Sequence, residues 1–78
     1  MKLLIDSIGF AAESSSQAKE VETEIRKVFP HLHPVNHEYF ESSGAAPGLV
    51  NLYFPPVERK EFEHILNCIQ KTLNCSDV

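Results

Sequence analysis

The amino-acid sequence predicts a small α+β domain: a two-layer half-sandwich in which a three-stranded mixed sheet carries two helices on one face, in the chain order β-α-β-β-α. Three observations predict it. Two stretches, 15–29 and 58–74, repeat apolar residues at helical intervals. Three others, 2–10, 35–41 and 49–54, are rich in branched and aromatic residues and bounded by glycine or proline. The 78 residues leave room for one domain, spanning 1–78, with a core of modest size.

The first strand is KLLIDSIGF, with Gly9 near its exit. The helix that follows starts on a capping box, Ser14 with Gln17, which satisfies two backbone donors. Ala18, Val21, Ile25, Val28 and Phe29 then form one stripe, Glu22 and Arg26 pair on the wet side, and Pro30 stops the helix. Pro34 excludes a central strand at that point, so the second strand is expected over 35–41. SSGAAPG reads as a flexible connection. LVNLYF is the third strand, expected to end at Pro55 and Pro56. The last helix has Phe62, Ile65, Leu66, Ile69 and Leu73 on one face, Glu58 and Glu61 in its first turn and Lys71 towards its end.

A right-handed crossover would set the first two strands parallel, and the second and third would form a hairpin. This arrangement is close to a ferredoxin-like half-sandwich lacking its last strand, since four residues follow Asn74.

Composition narrows the functional classes. Net charge is −4, and the 7 lysines and arginines are scattered, which disfavours a nucleic-acid footprint. No stretch resembles a membrane span or a signal peptide; Asp6 interrupts the run Leu3, Leu4 and Ile5. Cys68 and Cys75 lie two helical turns apart, roughly 10 Å, too far for a disulfide on an intact helix. Reduced thiols and a cytoplasmic location follow as expectations.

Alternation gives the main functional expectation. In the first strand Leu3 and Ile5 point one way, and Leu4, Ile8 and Phe10 the other; in the third, Val50, Leu52 and Phe54 share one face, and Leu49, Asn51 and Tyr53 the opposite one. Whichever set meets the helices, large apolar side chains remain on the uncovered face unless SSGAAPG folds across it. A surface with Leu4, Ile8, Phe10, Leu49, Asn51 and Tyr53 is therefore expected to bind another protein or a second copy of the chain, as does an open strand edge. The expected role is a protein–protein interaction module: an adaptor, an assembly subunit or an inhibitor.

Two alternatives rest on HLHPVNHE. His31, His33 and His37, with Glu38 alongside and His64 elsewhere, are suitable ligands for zinc, copper or nickel, although the spacing matches no known metal signature and a surface loop that happens to contain histidines is the simpler account. His37 with Glu38, Tyr39 and Glu41 also offers acid–base groups for a small dimeric enzyme. No phosphate-binding glycine motif is present, no cofactor is expected, and Cys68 reads as a buried thiol. The terminal Ser76, Asp77 and Val78 have the form of a peptide captured by a β-augmenting domain. For stability, Ile65→Ala and Leu66→Ala are each expected to cost about 2–5 kcal/mol.

Overall fold

Each expected element forms, and the differences lie in where the strands end and how they pair. The computed structural model describes residues 3–75; Lys2, the thiol of Cys75 and the terminal 76–78 peptide lie outside the described residues. The elements are β1 (Leu4–Ala12), α1 (Ser15–Val28), β2 (Asn36–Phe40), β3 (Gly48–Glu58) and α2 (Arg59–Cys75), an α+β arrangement in the expected order.

Local chemistry fixes the helices. Ser14 caps α1 by accepting the Gln17 amide at 3.2 Å, while Gln17 Oε1 accepts the amide of Glu13 at 2.8 Å. The second arm of the box thus lands one residue before the cap. At the other end Pro30 follows the cap residue Phe29, whose amide still reaches the Ile25 carbonyl at 2.9 Å. The second helix begins directly where β3 ends. Glu58 is therefore the last strand residue, Glu61 stands in the first helical turn, and Lys71 falls short of the last one.

The sheet has the order β1-β3-β2, and both ladders are antiparallel. The expected mixed sheet is corrected here. The first two strands do point the same way, but β3 lies between them, so no parallel pair forms. The third strand also runs past Pro55 and Pro56 to Glu58. Two features permit this. The ladder to β1 shifts register between Ile5 and Ser7, and β2 begins opposite Tyr53, so among the described residues β3 has no neighbour on that side where the prolines sit. A proline's missing donor is tolerated at such an edge or bulge. The 42–47 segment is an exposed hairpin tip: Ser43 and Ala46 exchange two backbone bonds around a turn whose Gly44 has φ 57°. Glycine is favoured there because a side chain resists positive φ.

Both helices pack on one face. The first lies mainly over β2, and the second over β1 and β3 alike. The core between the layers joins Val21, Ile25 and Phe29 of the α1 region to Leu52, Phe54 and Val57 of β3 and Ile65 and Ile69 of α2. Leu32 and Val35, from the connection that contains the cis His33–Pro34 peptide, are buried in it as well. A smaller cluster of Ala12, Ala18 and Val50 closes the other end. No described helix is long and apolar enough to cross a membrane.

Candidate interaction surface

The side of the sheet away from the helices is built by strand register. Three rows of residues cross it in the order β1, β3, β2: Ala11–Leu49–Phe40, Gly9–Asn51–Glu38 and Ser7–Tyr53–Asn36. The first row is apolar throughout, and its two large members, Leu49 and Phe40, are each 52% exposed. The other two rows are polar apart from the ring of Tyr53. The Tyr53 hydroxyl donates to Glu38 Oε1 on the diagonal, where strand neighbours reach one another. That hydrogen bond, followed by desolvation and the carboxylate's charge, pushes the Tyr53 phenol above its usual range. The hairpin tip leaves this face open.

The six residues expected to form a partner surface are thereby divided. Leu49, Asn51 and Tyr53 stand together on the open face. Ile8 and Phe10 do not join them: they pair with Leu52 and Val50, and their side chains pack beneath the helices. Leu4 lies past the register shift, opposite Glu58, and seven residues of strand, roughly 23 Å, separate it from Ala11. The shift also carries Ile5 to the helix side, where it packs against the core. An unbroken alternation places Ile5 and Ile8 on opposite sides, but at the shift Asp6 of β1 stands against three residues of β3, Phe54, Pro55 and Pro56, and the alternation breaks there.

The histidines are not brought together. His31 Nε2 lies 2.6 Å from Glu61 Oε2 on α2, His37 Nδ1 lies 3.0 Å from Glu22 Oε1 on α1, and His33 is exposed. Among the described residues no group of three His, Cys, Asp or Glu side chains could hold a metal ion. The pairing of His37 with Glu38 for acid–base chemistry is likewise corrected. Neighbours on a strand face opposite ways, so His37 turns to α1 while Glu38 turns to the open face. The partner of His37 is Glu22, which Arg26 also approaches at 3.8 Å while donating to the Val35 carbonyl at 2.8 Å. This network ties α1 to the entrance of β2. His37 lines none of the principal grooves of the described residues.

Those grooves are open and shallow. Two adjoin between the helices, one lined by Ser16, Lys19, Glu24 and Lys71 and the other by Glu24, Lys71 and His64. Cys68 borders the latter, half-buried and without a disulfide; burial, then the charge of Glu24, pushes its thiol up, away from the reactive thiolate. Sequence reasoning missed Phe40 and Ala11 as members of the open face, and Glu22 as the partner of His37. Alternation from His37 and Tyr39 would have found Phe40. Glu22, four residues after Ala18 and three before Ile25, lies on the helix stripe rather than on the wet side. No protein-family model matches the chain, and no curated protein or solved structure does so either.

Proposed function

We propose that this chain is a small protein–protein interaction module, an adaptor, assembly subunit or inhibitor, that acts in the cytoplasm and docks through the open face of its sheet or through an open strand edge. Its partner is another protein or a second copy of the chain. One observation carries the reading: Leu49 and Phe40 stand side by side in register, half-exposed, with Ala11 extending the row and Tyr53 nearby. Full burial of such side chains stabilises by about 1.5–3 kcal/mol each, so covering the exposed half leaves about 1 kcal/mol each to be gained on docking. Apolar anchors beside a tyrosine, rimmed by polar groups such as Asn51 and Glu38, have the make-up of a binding hot spot.

The test is retention of a partner on immobilised protein, comparing the native chain with Phe40→Ser/Leu49→Ser and with Val28→Ser. Val28 is equally exposed but lies on α1. A partner kept by the native chain and by Val28→Ser, and lost by the double variant, supports the reading. Retention that ignores Phe40 and Leu49 removes the open face as the docking site.

A further inference from the structure

Burial along β1 points to a second surface. Among the described residues β1 is paired on one side only. Its helix-facing residues Ile5, Ile8 and Phe10 are half-buried, whereas Leu52 and Val50, opposite the last two, are fully buried and Val57, opposite Ile5, nearly so. All lie beneath the same helix layer, so the difference comes from the outer flank of β1. The flank of α2 above it is alike. At about 100° per residue, Leu66 stands roughly 100° round the helix from buried Ile65, on the side away from Cys68 and His64, which face α1. Leu66 is half-buried too.

Resting on the interaction-module reading, we propose that this flank is the contact with a second copy of the chain. The two β1 strands pair antiparallel, centred on Gly9 with Ile8 of each opposite Phe10 of the other, and form one six-stranded sheet. The two α2 helices pack across the seam. Spacing supports this occupant. Since α2 straddles β1 and β3, it and its mate would lie two strand spacings apart, about 10 Å, which is the separation of packed helices. A two-fold axis makes the flank its own complement. Size is sufficient for a weak dimer. The flank is about 25 Å long by the rise of α2 and about 20 Å tall, near the smallest extent of 19 Å, so each copy covers about 500 Å² and the pair reaches the ~1,000 Å² that a specific interface needs.

Charge agrees as well. The chain carries −4, yet on the flank of α2 Arg59 and Glu63, about 120° and 160° round the helix from Ile65 on the side of Leu66, offset one another at 3.8 Å. From Ser7 to Ala12 the strand has no proline and no charge, so it lacks the devices that keep edges apart; Asp6 and the register shift lie at one end. The opposite edge, β2, is five residues long and carries Glu38.

Sedimentation velocity over a concentration series, with amide hydrogen exchange at the two extremes, tests this. The mass should rise from one chain to two with a micromolar Kd, and amides within 7–11 should gain protection as it does. Leu66→Glu should weaken association roughly tenfold or more, while Phe40→Ser leaves it unchanged. A single-chain mass at every concentration overturns the proposal, and so does association that follows Phe40 rather than Leu66. If Leu66→Glu fails to fold, the native exchange data decide: association without new protection in β1 overturns it. The open-face reading fails separately, when partner retention ignores Phe40 and Leu49.

Discussion

Ile65→Ala is the most demanding test of how α2 packs on the sheet. Ile65 is 0% exposed and belongs to the main core cluster with Ile25, Phe54 and Ile69. The substitution removes three carbons, and at ~0.8 kcal/mol per methylene the lost transfer energy is about 2.5 kcal/mol. The vacated space sits between helix and sheet, where β3 is held on both sides and relaxes little, so a cavity term of about 1–2 kcal/mol adds to it. A total near 4 kcal/mol compares with a global stability of about 4–12 kcal/mol for a chain of this length. The variant should unfold at much lower urea, and part of it should already be unfolded in buffer. Urea titration followed by circular dichroism, at one fixed protein concentration, measures the difference. A loss below about 1 kcal/mol would refute the packing argument, since it is less than the transfer term alone. Leu66→Ala is the internal comparison. The sequence assigns both residues the same cost, but Leu66 is half-buried beside the core, and about 1 kcal/mol is expected for it in the single chain.

Two further predictions concern the sheet. Gly48→Ala should cost about 1–3 kcal/mol in the same urea assay, because a β-carbon there would collide with the Tyr39 hydroxyl and stand 2.7 Å from the backbone oxygen of Ala12; unchanged stability would mean that Tyr39 does not lie across β3. On titration of the phenol absorbance, Tyr53 should ionise above the usual value of 10.0, and Glu38→Gln should bring its midpoint down. Because the folded value is the raised one, the Tyr53 contribution is present below the unfolded pKa of about 10 and lost as pH rises through the folded value; an alkaline stability profile unaltered by Tyr53→Phe would contradict this.

Much of the fold was legible because its signals are local. The Ser14 cap, the stripes of α1 and α2 and the stop at Pro30 lie within a turn or two of the residues they act on. Pro34 likewise delays β2 until Asn36. The end of β3 was not legible. Two prolines in a row are a strong breaker for a strand with neighbours on both sides, and only the ladder shows that β2 has not begun alongside them. The antiparallel order has the same origin: which strand occupies the middle is settled by long-range pairing.

The candidate surface exposes that limit more sharply. Alternation within β1 and within β3 sorts each strand's residues into two sets, but only inter-strand register says which sets share a side. Ile8 opposite Leu52 places Ile8 and Phe10 under the helices, and the shift between Ile5 and Ser7 brings Ile5 to the same side. The apolar surplus of β1 thus moves from the open face to the outer edge, and the open face keeps one apolar row. This relocation changes the kind of contact the protein can make. A face contact needs side-chain complementarity alone and suits an unlike partner, whereas an edge contact adds backbone hydrogen bonds that require a strand of matching direction and length. In the dimer proposed above, the second copy would supply such a strand in β1 itself and bring its own α2 to cover Leu66. The two surfaces therefore need not compete: pairing at β1 leaves Leu49 and Phe40, on β3 and β2, open to a different protein.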